Sequence, residues 1–267
     1  MSDAAVNHAI TNDGVRLAYR VEGLPEAPWL VLLNSVGMDL RMWEPQTPRF
    51  SKLFRVLRFD TRGHGASEAP PGPYSIERLG SDLIGLFNAL AIRRVHLCGL
   101  SLGGLVAQWC AAEWPERVDR IVLANTAARI GTASSWSDRI ATVRSGGMRA
   151  VRDLALARFL TERFQSEHPD ETQRIADIFE ATPAEGYIAA CAALRDADLH
   201  RALMRIKAPV LIIAGDLDEA TPVPLARKLH SAIAGSRLTV LQGAAHLSNV
   251  EQPEVFNDHV LAFLRRS

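Results

Sequence analysis

The feature that most restricts the fold is a set of six short hydrophobic runs, separated by helix-like patterns. Most of these runs are apolar at successive positions rather than at alternate ones, which is typical of strands buried on both faces in a parallel sheet. The runs lie at Trp29–Asn34, Phe54–Asp60, Val95–Gly99, Arg120–Asn125, Val210–Ala214 and Arg237–Leu241. Their alternation with helices predicts an α/β fold, with a mostly parallel central sheet flanked by helices.

Helical spacing of apolar residues follows several of these runs. Ser75 is typical of an N-cap, and residues 75–90 place apolar side chains three or four positions apart. Further helices are predicted at residues 101–114, where Pro115 ends the pattern, and at residues 253–264. Near the start of the chain, residues 9–22 alternate loosely around an Asn-Asp-Gly turn, which predicts a hairpin.

Between residues 129 and 200 the strand patterns stop and helix-prone stretches follow one another. These stretches are Val151–Leu160, Gln173–Ala181 and Tyr187–Leu194. The sequence therefore predicts an α/β core made of residues 1–128 and 201–267, with residues 129–200 inserted as a helical cap.

The overall charge excludes several classes of partner. The chain has 30 basic and 30 acidic residues, and hydrophobic residues make up 48% of it. A balanced charge without a Lys/Arg stripe indicates no binding of nucleic acid or of an anionic membrane. The start of the chain lacks a signal-peptide pattern, and no apolar run approaches the roughly 18 residues of a membrane span. We therefore expect a soluble, cytoplasmic protein, and the sequence leaves homo-oligomer formation open.

The three cysteines do not indicate a disulfide framework or a metal site. They are too few and too scattered for either, so no metal is predicted. Cys98 lies in a strand-like run and Cys110 in a helix-like one. Both are expected to be small buried hydrophobic residues rather than reactive thiols.

Residues 99–103 have the pattern G-x-S-x-G around Ser101. By chance, this pattern occurs in roughly one chain in ten of this length. Here a predicted strand precedes it and a predicted helix follows it, which is the context of a nucleophile elbow in the α/β-hydrolase fold. Ser101 is therefore the predicted nucleophile, and the helix N-terminus after it favours negative charge on the reacting oxygen.

A serine nucleophile requires a base and an acid that orients the base. In this fold the acid and then the histidine follow the serine along the chain. His246 lies in a loop just after the last predicted strand, and it is the expected base. Asp216 and Asp218 both follow the Val210–Ala214 strand, and the pattern favours Asp218 as the acid. Asn125, at the end of an earlier strand, cannot serve as an anionic partner.

The other seven histidines are weaker candidates for the base. His64 is the main rival, but it precedes Ser101 in a glycine-rich turn, which favours a packing role there. The remaining ones lie at a terminus, on predicted helix surfaces, inside a strand or at the end of the helical block: His8, His168, His230, His259, His96 and His200.

Acyl transfer also requires donors for the developing oxyanion. The backbone N–H of Leu102, directly after the nucleophile, is one expected donor. The second is expected from the loop that follows the Trp29–Asn34 strand, at the backbone N–H of Val36. Gly37 allows that backbone to come close.

Several longer motifs resemble the 3-oxoadipate enol-lactonases of bacterial aromatic degradation, and the resemblance extends nearly from end to end. The motifs are NSVGMDLRMW at 34–43, DTRGHGAS at 60–67, GPYSIERLGSDL at 72–83, GLSLGGLVAQW at 99–109, NTAARI at 125–130, LRDADL at 194–199 and AAHLSNVE at 244–251. Asn34 and Ser35 stand where many relatives in the superfamily have His-Gly. Two departures are Leu102 in place of methionine and Val36 in place of leucine. Both positions are expected to act through the backbone, so the predicted triad is unaffected.

The resemblance implies hydrolysis of 3-oxoadipate enol-lactone, a small anionic substrate, without a cofactor or a metal. The substrate carboxylate requires local recognition, for which the helical block offers Trp136, Arg139 and Arg195. We expect Trp136 to cover the pocket and Arg139 to lie near the carboxylate. Surface positions for the arginines and a core position for Trp136 are the alternatives.

The triad alone does not separate the lactonase from other enzymes. A broad-specificity carboxylesterase, a hydrolase of C–C bonds in ring-cleavage products and a cofactor-free haloperoxidase would use the same residues. Epoxide hydrolases and dehalogenases of this fold attack with aspartate, which Ser101 argues against. A catalytically inert ligand-binding protein is the alternative from a different class.

Overall fold

All six predicted runs form strands of one eight-stranded sheet in the computed structural model, which describes residues 6–265. Residues 1–5 and 266–267, which belong to the predicted core segments, lie outside the described residues. The start of the chain, where no signal-peptide pattern is present, is among them. The strands are β1 (Asn7–Ile10), β2 (Arg16–Gly23), β3 (Trp29–Leu33), β4 (Arg55–Phe59), β5 (Val95–Leu100), β6 (Val118–Ala124), β7 (Val210–Gly215) and β8 (Arg237–Leu241).

The sheet order is β1-β2-β4-β3-β5-β6-β7-β8. The first two pairings, β1 with β2 and β2 with β4, are antiparallel, and the other five are parallel. The predicted hairpin is confirmed, and its turn is held by Thr11, whose hydroxyl donates to Asp13 and to the Val15 carbonyl. The predicted α/β class, with a mostly parallel sheet, is confirmed as well.

Helices connect the strands and cover the sheet. They are α1 (Thr47–Phe50), α2 (Ile76–Ala89), α3 (Leu102–Glu113), α4 (Ala133–Gly146), α5 (Arg149–Phe159), α6 (Glu162–Glu167), α7 (Pro169–Glu180), α8 (Ala184–Asp196), α9 (His200–Leu203), α10 (Val223–Ala232), α11 (Ser248–Glu251) and α12 (Pro253–Leu264). The predicted N-cap is confirmed, because the Ser75 hydroxyl accepts from the Arg78 N–H at 3.2 Å.

Two helices of appreciable length were not predicted individually. In α4 the first half is polar, and only Ile140 and Val143 are buried, so the hydrophobic pattern is weak. Helix α10 begins after Pro222 and buries only Ala226 and Leu229. Helix α4 therefore gives little periodic signal, whereas α10 places Val223, Ala226 and Leu229 three positions apart, a helical spacing that a periodicity search can detect.

The helices between β6 and β7 contact the core at several separate places. The Thr182 hydroxyl donates to the Gly37 carbonyl at 3.1 Å, which links the end of α7 to the loop after β3. Helix α8 rests on the turn after β4 so closely that a Cβ atom at Gly186 would lie 2.1 Å from the Gly63 carbonyl oxygen. The position of this helical segment is therefore set by backbone contacts with the core.

Candidate active site

Ser101 lies in a sharp turn between β5 and α3, and its backbone has φ +56° and ψ −115°. Its N–H donates to the Ala124 carbonyl of the neighbouring strand at 3.1 Å. A Cβ atom at Gly99 would lie 2.3 Å from the Gly103 carbonyl oxygen, and one at Gly103 would lie 2.3 Å from the Leu33 carbonyl oxygen. The two glycines of the motif are therefore required by close backbone contacts. Positive φ at a serine is a strained conformation of the kind that concentrates at functional sites.

Two backbone N–H groups near Ser101 have no hydrogen-bond acceptor within residues 6–265. Leu102 is the first residue of α3, so its N–H has no acceptor within the helix. In the loop after β3, the N–H groups of Ser35, Gly37 and Met38 all have acceptors, whereas the Val36 N–H has none in the described part of the chain. The structure thus leaves unoccupied the two donors that the sequence predicts.

His64 supports this loop and does not approach Ser101 as a base. Its Nε2 accepts from the Gly37 N–H at 3.0 Å, and its Nδ1 lies 3.2 Å from the Arg62 carbonyl oxygen. An accepting Nε2 requires the proton on Nδ1. Complete burial lowers the pKa of His64 to about 4, so the ring stays neutral. The packing role expected for this turn matches these contacts.

His246 follows β8 and makes a buried pair with Asp218, in which its Nδ1 lies 2.9 Å from Oδ2 of the carboxylate. The other oxygen, Oδ1, accepts from the N–H groups of Ala220 and Thr221 at 2.8 and 2.9 Å. Burial alone raises the pKa of Asp218, but the charge and hydrogen bond of His246, together with Thr221, hold it well below its usual range. The Asp218 carboxylate is therefore ionised and orients the histidine ring.

Asp216, the alternative acid, points elsewhere. It is exposed, and its carboxylate accepts from the Gly243 N–H at 2.6 Å. The two aspartates are two residues apart, yet only Asp218 contacts His246. The structure therefore distinguishes the two candidates that the sequence left open.

Asn125 has a role that sequence reasoning missed. Its Nδ2 donates to Asp218 Oδ2 at 2.9 Å and to the Ala245 carbonyl at 3.1 Å. Its Oδ1 accepts from the Ser248 hydroxyl at 2.6 Å. The side chain thus joins the loop of the acid to the loop of the histidine. An amide can donate and accept at once, which an aspartate in this place could not do.

Ser101 and His246 line the same cavity, which has a volume of about 520 Å³. Val36 lines it from the core, and α4 and α5 contribute most of the opposite wall. Trp136 lies half-buried there, and its indole N–H donates to the Ile130 carbonyl at 2.6 Å. The cavity is therefore a pocket between the sheet edge and the helices that follow β6.

Arg139 is the predicted carboxylate ligand, and it lines this cavity. Its guanidinium donates to the Tyr187 hydroxyl at 3.1 Å and lies 5.9 Å from the centre of the Trp136 ring. Arg195 does not line the cavity. Its guanidinium pairs with the carboxylate of the neighbouring Asp196 at 2.7 Å. Arg158, which the sequence did not single out, lines the cavity as well, near the C-terminus of α5.

The cysteines are buried, as expected for Cys98 and Cys110, and burial raises the pKa of the Cys110 thiol to about 12. Within residues 6–265 no group of three or more His, Cys, Asp and Glu side chains has the arrangement of a metal site. Across the same residues, none of the helices has the length and apolar character needed to cross a membrane.

Comparison with known proteins places the chain among hydrolases. The family described as the alpha/beta hydrolase fold matches residues 28–253. The chain is 41% identical to 3-oxoadipate enol-lactonase 2 of Acinetobacter baylyi, over 96% of both proteins. Among solved structures, the enol-lactonase from Burkholderia xenovorans LB400 is 44% identical with a TM-score of 0.95, covering 97% of this chain and 100% of that one. A thermophilic esterase from Thermogutta terrifontis is 28% identical with a TM-score of 0.91, covering 98% of each chain. The chain therefore belongs to the α/β-hydrolase family and, within it, is a relative of the 3-oxoadipate enol-lactonases.

Proposed function

We propose that this protein is a serine hydrolase that opens 3-oxoadipate enol-lactone to 3-oxoadipate in the catabolism of aromatic compounds. The observation that carries the substrate assignment is the 41% identity over 96% of the chain to an enzyme of that name. The common cavity of Ser101 and His246 supports the reaction class. We further propose that residues 129–200 act as the cap of a core formed by residues 1–128 and 201–267, and that the protein works in the cytoplasm.

In the proposed first step, Ser101 Oγ attacks the lactone carbonyl carbon while His246 Nε2 accepts the hydroxyl proton. Asp218 stabilises the imidazolium that forms. Negative charge collects on the carbonyl oxygen, where the N–H groups of Val36 and Leu102 are the proposed donors. One well-placed donor of this kind contributes roughly 3–4 kcal/mol to transition-state stabilisation.

The ring C–O bond then breaks, and the leaving oxygen departs as an enolate that stays tethered to the acyl group. It receives the proton from His246 and the resulting enol becomes the ketone. A water molecule, deprotonated by His246, next attacks the ester carbonyl carbon. The bond to Ser101 Oγ breaks, His246 returns the proton to that oxygen, and the diacid is released. An enolate is a better leaving group than an amide nitrogen, so the scheme uses no cofactor.

We propose that Arg139 binds the carboxylate of the substrate and that Trp136 forms the adjoining wall. Replacing Arg139 with alanine should raise KM for the anionic lactone roughly 10- to 100-fold, since hydrogen bonds to charged groups contribute about 1.5–3 kcal/mol. A neutral phenyl ester should show little change. Steady-state kinetics with both substrates checks this result. Arg195→Ala, outside the cavity, is the matched control, and an equal loss on both substrates would contradict the assignment.

Activity should fall in acid, because only a neutral His246 can accept the proton of Ser101. Asp218 should not cause this decrease, because its pKa lies well below its usual range. The measurement is kcat/KM against pH for a neutral ester, whose own charge does not change. A flat profile would argue against His246 as the base.

Two observations decide between the proposed function and its alternatives. A fluorophosphonate probe should label Ser101, whereas a folded protein without label would be a ligand-binding member of the family. Incubation with the enol-lactone should release 3-oxoadipate faster than buffer does, as followed by chromatography. Labelling without lactone turnover would instead indicate a broad-specificity esterase or a hydrolase of C–C bonds, which the likeness to a solved esterase keeps as the second candidate.

A further inference from the structure

The carboxylate of Glu251 joins the loop of His246 to the chain that connects α5 and α6. Its Oε1 accepts from the N–H of Thr161 at 2.7 Å and from the Thr161 hydroxyl at 2.8 Å. Its Oε2 accepts from the N–H of Ala245, the residue directly before the histidine. One side chain at the end of α11 therefore holds both segments at once.

A second set of contacts joins the same two segments on the other side of the histidine. The N–H of Leu247 donates to the Phe159 carbonyl at 2.8 Å. The Phe159 ring stacks on the imidazole of His246, with 5.8 Å between ring centres and 17° between planes. His246 thus lies between the N–H groups of Ala245 and Leu247. The Leu247 N–H bonds to the helical segment directly, and the Ala245 N–H is linked to it through Glu251.

Glu251 is partly buried, and in the described part of the chain no cation pairs with it. Taking an ionised carboxylate out of water without a cation is unfavourable unless hydrogen-bond donors replace the water. Here three donors do so. Two of them come from the cap segment and the third comes from the loop of the base, so the charge is accommodated only when both segments are in place.

We propose that Glu251 is a positioning residue, which couples the packing of the cap segment at Phe159–Thr161 to the orientation of His246. This inference rests on the proposed function, because it assigns His246 the role of base. The carboxylate contacts neither the cavity nor the reacting atoms. It acts through the Ala245 N–H on the loop and through Thr161 on the cap, and loss of either contact should loosen the imidazole.

Glutamine is the informative replacement because it keeps the size of the side chain but has only one oxygen. An amide at this position leaves either Ala245 or Thr161 facing an NH₂ group. Thr161→Val removes only the hydroxyl on the cap side and retains the backbone N–H. If the two side chains act through one coupled contact, the double variant should be no worse than Glu251→Gln alone.

The test measures kcat and KM for the enol-lactone, together with the low-field proton NMR signal of the His246 Nδ1–Asp218 hydrogen bond without substrate. We expect Glu251→Gln to lower kcat roughly 10- to 100-fold, with KM changed less, and to shift or broaden the signal. Thr161→Val should lower kcat a few-fold and perturb the same signal. Glu254→Gln, on the neighbouring helix and exposed, is the matched control and should leave both readouts as in the wild type.

An unchanged signal in Glu251→Gln, with kcat within about twofold of the wild type, would overturn the proposal. If that variant does not fold, an unchanged signal in Thr161→Val would overturn it as well. Additive losses in the double variant would also contradict it. Because the signal is recorded without substrate, its response does not depend on whether the wild type opens the lactone, whereas the kcat outcomes apply only if it does. If the wild type does not turn over the lactone, the proposed function is rejected, while the NMR test of Glu251 and Thr161 still applies.

Discussion

Replacing Ser101 with alanine is expected to lower kcat for the enol-lactone by about 10⁶-fold, the scale on which loss of a serine nucleophile acts in enzymes of this mechanism. The acyl-enzyme cannot form without the hydroxyl. The cavity and the N–H groups of Val36 and Leu102 remain, so a small residual acceleration over buffer is expected. The fold should be unaffected, because within residues 6–265 the hydroxyl makes no hydrogen bond, whereas the Ser101 backbone holds the turn.

Rapid mixing at saturating lactone, together with the melting temperature of the variant, checks this expectation. Ser137→Ala is the matched control, since Ser137 is exposed on α4 and its hydroxyl donates to the Ala133 carbonyl of its own helix. Retention of more than about a tenth of the wild-type kcat in a folded Ser101→Ala protein would remove Ser101 from the mechanism.

Replacing Asp218 with asparagine should lower kcat by about 10⁴-fold, through the tautomer of His246. The N–H groups of Ala220 and Thr221 both point at Oδ1, so the amide oxygen must occupy that position. The amide NH₂ then replaces Oδ2 and faces Nδ1 of His246. Nδ1 of His246 would then have to accept a hydrogen bond, so the imidazole proton moves to Nε2. A protonated Nε2 cannot take the proton from Ser101.

The same replacement also sets two NH₂ groups against each other, because the Asn125 Nδ2 already donates to Oδ2. A loss of stability is therefore expected together with the loss of kcat. Asp216→Asn is the matched control, since Asp216 is exposed and its carboxylate accepts from the Gly243 N–H, and it should stay within a few-fold of the wild type. Similar kcat values for the two variants would show that His246 does not depend on Asp218.

Local sequence was sufficient to predict the main parts of the fold. Most of the strands were predictable because their runs are apolar at successive positions, and the turn at Ser101 was predictable because its glycines flank the serine within five residues. Helix α4 was harder to predict, because it buries only Ile140 and Val143 and its first half is polar. For the acid, two aspartates in one turn differ only in the direction of their side chains, which the backbone of the folded loop determines.

The supporting contacts were beyond sequence reasoning for a different reason. Asn125 and Asp218 are 93 residues apart in the chain, and Thr161 and Glu251 are 90 residues apart. The pairing of β6 with β7 brings the first pair together, and the packing of the helical segment on the core brings the second together. The role of Asn125 is not visible in the sequence, because a polar residue at a strand end gives no signal of the partner that it will contact.

The measurement that tests the central claim most directly is kcat/KM for freshly generated 3-oxoadipate enol-lactone beside that for p-nitrophenyl acetate. Serine hydrolysis of a specific anionic lactone predicts that kcat/KM for the lactone exceeds that for the ester by more than about 100-fold, which is more than a single charged contact would contribute. This preference should be lost in Ser101→Ala. Slow and comparable turnover of the two esters would contradict the lactonase assignment. It would indicate that the cavity beside Arg139 serves another ester or a ring-cleavage product.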